Sequence, residues 1–325
     1  MLETFLPMAK NVLIFIALAI PGYILVKVRL MKSEHSAVLS KLLMYVGMPF
    51  LILSGTLGVN LTGQTGINLL LVAIIGTALT FLLFFISKFL VFSKKDESVD
   101  LLKRKKLDGM ERFCSIFSNN GFLGLPLAAA VFGTNTTIFA YIVVLNIITN
   151  TLMYTVGVYL VSGDVKSIKI SKVLFNPVLI SFILGIIINI TGIFKGFPEA
   201  ITYADYFKNI VTPISMVILG MKMGEIKFSE MLKSPRVYFV SVKKLILVPV
   251  LAVAITVALV KLFALDADMI MASFIGFSMP TAALAPVFAD KYDGDGLGAT
   301  IYTLGNTLLS LLTIPLLYLL LCAIV

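Results

Sequence analysis

Runs of about 20 largely apolar residues, the length a helix needs to cross a lipid bilayer, recur ten times along this chain. They fall at roughly 6–26, 38–57, 67–91, 111–132, 137–161, 174–193, 204–222, 237–263, 268–289 and 297–324. No soluble fold hides ten such runs. Of the 325 residues, 59% are hydrophobic and 13% charged, against about 45–50% and about 25% in an average soluble chain. Mean hydropathy is +1.04. Lipid is therefore the solvent for most of the chain, which excludes a soluble enzyme, a secreted disulfide scaffold and a disordered protein. The expected fold class is all-α, integral to the membrane, with ten transmembrane helices. Pro21-Gly22-Tyr23 runs into a basic loop with no A-x-A-like site, so the first run reads as a span and not a cleaved signal.

Basic residues orient the spans, because cytoplasmic loops are enriched in Lys and Arg. With the N-terminus outside, 22 of the 26 Lys and Arg fall in inner loops and their flanks, Lys172, Lys222, Lys243 and Lys244 among them. Only Lys10, Lys195, Lys208 and Lys261 are left outside. Both termini are then extracytoplasmic in a multi-pass protein of the cell membrane. The net charge of +9 is an orientation signal facing anionic inner-leaflet lipid, with no nucleic-acid partner implied. The acidic residues, Glu111, Asp266 and Asp290 included, all fall at span ends or in loops. Cys114 and Cys322 read as apolar fillers, and His35 lies in a basic loop. No metal cluster, cofactor motif or P-loop is expected, so neither catalysis nor direct ATP drive is.

Two halves of the chain resemble each other. Val131-Phe132 returns as Val287-Phe288, Asn150-Thr151-Leu152 as Asn306-Thr307-Leu308 and Pro21 as Pro177, each 156 residues on. This divides the chain into a first five-span repeat over 1–161, a cytoplasmic linker over 162–172 and a second repeat over 173–325. Five is odd, so the second copy enters the membrane inverted. Inverted repeats are typical of secondary transporters, with the site near the bilayer midplane where the repeats meet.

Spans 4 and 9 are poor continuous helices. Span 4 contains Asn119-Asn120-Gly121-Phe122-Leu123-Gly124-Leu125-Pro126, and span 9 contains Ser278-Met279-Pro280-Thr281. Pro removes a donor and clashes with the preceding turn, and Gly accepts unusual backbone angles. Both prolines lie about 18–22 Å into their spans at about 1.5 Å per residue, near the bilayer centre. Unwound backbone there is tolerated only inside protein or beside water. One isolated Pro would merely kink a helix; a matched pair points to a site. Half-helix N-termini starting near Pro126 and Pro280 would favour a carboxylate, helped by side chains of Asn119, Asn120, Ser278 and Thr281. Asn146 and Asn150 in span 5, one turn apart, and Asn306 in span 10 either line that site or glue helices together.

These residues resemble the auxin efflux carrier family of membrane permeases over almost the whole chain. Asn119 to Pro126 is similar to that family's Asn-x-Gly-Phe-x-Gly-x-Pro crossover. Pro280, Pro286-Val287-Phe288-Ala289, Tyr292, Asn306-Thr307-Leu308 and Ile314-Pro315-Leu316 are similar to its last two spans. The resemblance implies two inverted five-helix repeats with broken crossing helices 4 and 9, a bile acid symporter-like fold and an elevator-type movement. It implies a homodimer through helices 1, 2, 6 and 7. The family's substrate-contacting Asn corresponds to Asn119, and its crossover prolines to Pro126 and Pro280. The short join between spans 5 and 6 resembles microbial members, which carry malate and other small organic acids. The function expected is a secondary active or facilitated transporter of small organic carboxylates, auxin-like acids included, working by alternating access. Sodium-coupled symport, or a channel or receptor on the same fold, stays open as an alternative.

Overall fold

The computed structural model describes residues 2–91, 101–193, 197–224 and 233–324. Lys94, Lys95, Lys195, Glu225 and Lys227 of the charge count lie outside them. The described residues are helical apart from short connections. In chain order the helices are α1 (Leu2–Lys27), α2 (Ser33–Leu57), α3 (Gly63–Ser87), α4 (Leu101–Ile116) and α5 (Asn120–Phe132). Next come α6 (Thr137–Ser162), α7 (Pro177–Thr191), α8 (Pro198–Asn209) and α9 (Val211–Gly224). The last four are α10 (Pro235–Phe263), α11 (Asp268–Ser278), α12 (Ala285–Lys291) and α13 (Gly296–Ile324). Among the described residues six helices are long and apolar enough to cross a membrane. Large apolar side chains remain exposed on α1, α3, α7 and α13, among them Leu13, Leu70, Ile183 and Leu312. Such faces are stable against hydrocarbon and not against water. The protein is an integral membrane protein.

Each apolar run of the sequence is occupied by helix, with one shifted boundary. The run over 204–222 is split at Ile210 into α8 and α9. Pro213 has no N–H to give to the Asn209 carbonyl four residues back, and its ring crowds that carbonyl. Proline also explains the internal shape of other helices. Leu43–Gly47, Asn120–Gly124 and Lys243–Leu247 form wide π-type turns. Each ends two residues before a proline, Pro49, Pro126 and Pro249. A carbonyl that Pro cannot satisfy leaves the ladder free to lengthen by one residue, and such bulges gather at functional sites. Pro126 therefore sits within α5, after the break and not at it.

The helices pack in two sets. α1 lies along α9, and α2 lies along α7 and α8. Separately α3 packs on α6, α6 on α11, α11 on α10, and α10 and α12 on α13. The sets meet where α1 touches α5 and α13 and where α2 touches α6. The α1–α9 contact depends on missing side chains. A Cβ on Gly220 would stand 1.8 Å from the Ala19 carbonyl oxygen, and one on Gly22 would stand 2.1 Å from that of Val217. Small residues let membrane helices approach this closely. Gly220→Val is expected to force the two backbones apart and cost about 1–3 kcal/mol, read as a lower thermal midpoint in detergent. An unchanged midpoint would refute the contact.

Candidate functional site

The two breaks meet. α4 ends at Ile116 and α5 starts at Asn120; α11 ends at Ser278 and α12 starts at Ala285. The unwound pieces run antiparallel, with Ser118 opposite Thr281. Asn119 N–H donates to the Pro280 carbonyl at 2.8 Å, and Ala282 N–H donates to the Phe117 carbonyl at 2.9 Å. Each break thus satisfies backbone groups of the other, which is how non-helical chain persists inside such a bundle. The helix restarts differ from those expected. α5 begins six residues before Pro126, with Asn119 just ahead of its first turn, whereas α12 begins five residues after Pro280. A half-helix start at Pro280 itself is therefore absent.

One cavity of about 330 Å³ opens at this crossing, a size usual for small-molecule sites. Ser118, Asn119, Gly121 and Phe122 of the first break line one side, and Asn146, Thr149 and Asn150 of α6 line another. Ala282, Ala283 and Leu284 of the second break, Met44 to Met48 of α2 and the start of α7 close it. Exposed Tyr45, Lys172 and Phe175 stand at the mouth. No Asp or Glu is among its lining residues. The Asn119 side chain makes no hydrogen bond to the described residues. Asn146 Oδ1 accepts from Asn150 Nδ2 at 3.0 Å, while Asn146 Nδ2 is buried with no partner. Asn120 Nδ2 donates to Thr149 Oγ1 at 3.1 Å, leaving Asn120 Oδ1 unpaired.

Of the residues expected at the site, Asn119, Gly121, Asn146 and Asn150 line this cavity, with Asn120 just behind it. Pro280 contributes its carbonyl to the crossing, and Pro126 is buried in α5. Ser278 is buried with its hydroxyl unpaired, away from the lining. Thr281 and Asn306 are fully buried and spent on structure. Asn306 Nδ2 donates to Thr281 Oγ1 at 2.6 Å, Thr281 Oγ1 donates to the Cys114 carbonyl at 2.7 Å, and Ser241 Oγ donates to Asn306 Oδ1 at 2.5 Å. These side chains hold α4, α10, α12's approach and α13 together. A second cavity of about 140 Å³ between α1, α9, α5 and α13 is almost wholly apolar. Its serine and threonine hydroxyls, Ser310 and Thr307, donate to carbonyls of their own helix. The two halves of the chain are therefore chemically unequal at the crossing.

Three charged residues depart from the sequence reading. Lys243, Lys244 and Glu111, assigned to loops and flanks, are buried in α10 and α4 at 6%, 0% and 1% exposure. Lys243 Nζ contacts Glu111 Oε1 at 2.5 Å and the Leu90 carbonyl at 2.7 Å. Lys244 Nζ donates to Ser118 Oγ at 2.5 Å and sits 3.4 Å from the Ile116 carbonyl. A positive charge at the C-terminal end of α4 complements its dipole. Lys222 Nζ of α9 similarly donates to the Ala283 carbonyl at 3.3 Å, bridging the two helix sets. Hydropathy places lysines at span ends because burial of an unpartnered charge is costly. Partners on distant helices, invisible to a window along the chain, reverse that expectation. Among the described residues no group of His, Cys, Asp and Glu is arranged to hold a metal.

A helical membrane protein with a polar cavity at two crossing helix breaks has the build of a membrane transporter. Residues 7–318 match the membrane transport protein family. The chain belongs to that family, the one that includes the auxin efflux carriers. It is 26% identical over 323 residues, 96% of this chain and 98% of the relative, to an uncharacterized transporter of Methanothermobacter thermautotrophicus. It is also 26% identical over 290 residues, 87% of this chain and 89% of the relative, to an uncharacterized transporter of Methanocaldococcus jannaschii.

Proposed function

We propose that this transporter is a secondary carrier of small organic carboxylates, malate or acids of similar size, working by alternating access. The observation that carries the reading is the cavity wall. It offers the free amides of Asn119 and Asn146, the hydroxyl of Ser118 and a lysine at the mouth, and no carboxylate. Neutral donors lining the cavity, without competing acids, suit a carboxylate, which only accepts. Auxin-like acids share that head group.

With this goes a ten-span architecture of two inverted repeats, 1–161 and 173–325, joined by 162–172. The set of α1, α2, α7, α8 and α9 acts as the fixed scaffold and dimer-forming part, and the remaining helices carry the site past it. The separate packing of the two sets supports this elevator movement. Both termini face outward in the cell membrane. The cavity mouth at Lys172 then faces the cytoplasm, and the described state is inward-facing. A negative-inside potential is worth about 2.3 kcal/mol per charge per 100 mV, nearly fifty-fold outward for a monoanion. Export or exchange therefore needs no further driving ion. Sodium symport would need oxygen ligands; at the first break Ile116 O and Ser118 Oγ already face Lys244 Nζ, which leaves Asn120 Oδ1 as a buried unpaired oxygen there.

The test is flux of labelled malate, lactate and indole-acetate in proteoliposomes at set potentials, with and without a sodium gradient. Saturable counterflow independent of sodium is expected; unitary conductance would make the protein a channel. Asn119→Ala is expected to lower carboxylate flux about ten- to a hundredfold, the value of a hydrogen bond to a charged group. Undiminished flux in that variant would remove Asn119 from the site, and no flux of any carboxylate would end the proposal.

A further inference from the structure

Ser118 lends its hydroxyl to the cavity wall in the reading above, and Lys244, behind it, has no role there yet. Ser118 lines the cavity and is held in place by its pairing with Thr281 across the two breaks. A serine hydroxyl has one proton and two lone pairs. At Ser118 one lone pair takes the N–H of Lys244 at 2.5 Å. Two carbonyls just upstream are engaged by other donors: that of Cys114 by Thr281 Oγ1 at 2.7 Å and that of Ile116 by Lys244 Nζ at 3.4 Å. Among the described residues the Ser118 proton has no acceptor. Lys244 in turn is fully buried and, among the described residues, pairs with no carboxylate, unlike its neighbour Lys243, which faces Glu111. One side of the cavity wall therefore has a buried lysine Nζ behind a hydroxyl whose proton is unspent.

We propose that Lys244 acts through Ser118, fixing that hydroxyl as a charge-assisted donor to the substrate carboxylate in the cavity. This rests on the carboxylate-carrier reading and gives it a basis for selectivity. An N–H accepted from an ammonium polarises the O–H and orients it away from the lysine, toward the cavity that Ser118 lines. The unpartnered Nδ2 of Asn146 and the unbonded amide of Asn119 border the same volume. A carboxylate, with four acceptor positions and no proton, fits three donors that lack acceptors. The amide of the same acid would turn an N–H₂ toward them and be rejected. Lys244 is a positioning residue in this scheme: it never touches substrate.

The experiment is counterflow exchange of labelled lactate and malate in proteoliposomes, competed with lactamide, for the unaltered carrier, Ser118→Ala, Ser118→Thr, Lys244→Met and the Ser118→Ala/Lys244→Met pair. Ser118→Ala is expected to raise the half-saturation concentration for carboxylate about ten- to a hundredfold, with lactamide becoming a better competitor, while Ser118→Thr restores the hydroxyl and most of the affinity. Lys244→Met should match Ser118→Ala, and the pair should be no worse than either alone, since both remove one donor. Half-saturation within twofold of the unaltered carrier in Ser118→Ala overturns the proposal, as do losses that multiply in the pair. Where Lys244→Met yields no folded protein, the Ala and Thr variants at 118 decide by themselves. An unaltered carrier that exchanges no carboxylate overturns the carrier reading, whereas exchange untouched by Ser118→Ala overturns this inference alone.

Discussion

Glu111→Ala lowers the stability of the folded protein by about 3–5 kcal/mol, the cost of leaving a buried charge without its partner. Lys243 Nζ lies 2.5 Å from Glu111 Oε1, and the two side chains are 8% and 2% exposed. In a soluble protein water could move in to the stranded ammonium; beside hydrocarbon it must be found elsewhere in the bundle. The pair also ties α4 to α10, and the bond from Lys243 to the Leu90 carbonyl at 2.7 Å adds the turn that follows α3. Lys243→Met takes the buried ammonium away from Glu111 and is expected to be destabilising as well. Glu111→Gln with Lys243→Met together removes both charges and is expected to recover most of the loss, because replacing a whole buried pair is often close to neutral. Thermal unfolding of the detergent-purified protein, with folded yield from membranes, measures all three. Single variants within about 1 kcal/mol of the unaltered protein would show that this pair is not desolvated.

The same residues show how far the sequence could be read. The ten apolar runs, the two broken spans and the meeting of their breaks were legible because each depends on local chemistry: run length, and Gly and Pro at mid-span. Asn119 beside the break follows from which spans are broken; turn spacing puts Asn146 and Asn150 on one face but leaves open whether they line a site or join helices, and the fold places both on the cavity wall. What was not legible depends on partners far apart in the chain. Lys244 looks like a basic flank until Ser118, 126 residues earlier, is folded against it. Asn306 looks like the twin of Asn150, yet its neighbours Thr281 and Ser241 consume both ends of its amide. A repeated motif conserves backbone shape more readily than it conserves which side chains are left unpaired. From sequence alone Pro126 reads as the break, whereas the wide turn before it shows that a proline can be absorbed by lengthening one turn.

Gly121→Leu is expected to abolish transport while leaving the fold intact. Gly121 opens α5 on the cavity side, and a Cβ built there meets only Asn146 Oδ1, at 3.7 Å, an ordinary contact. The backbone therefore tolerates a side chain, in contrast to Gly220, where one collides with a carbonyl. Its remaining three carbons have only the cavity to occupy. They would cover the Asn146 amide and fill volume that the substrate needs, and apolar atoms there leave the donors of the wall unsatisfied. Loss of the polar contacts together with steric exclusion should bring carboxylate exchange down at least a hundredfold, to the level of empty liposomes, since two hydrogen bonds to a charged group are each worth about 1.5–3 kcal/mol. Gly121→Ala adds one methyl in ordinary contact and should retain measurable exchange with a raised half-saturation concentration. The thermal midpoint of both variants should stay near that of the unaltered protein. Full exchange in Gly121→Leu would place the substrate outside this cavity. A collapse of the midpoint would instead mean that the first turn of α5 is packed more tightly than the 3.7 Å contact implies, and the graded loss in Gly121→Ala then separates blockage from misfolding.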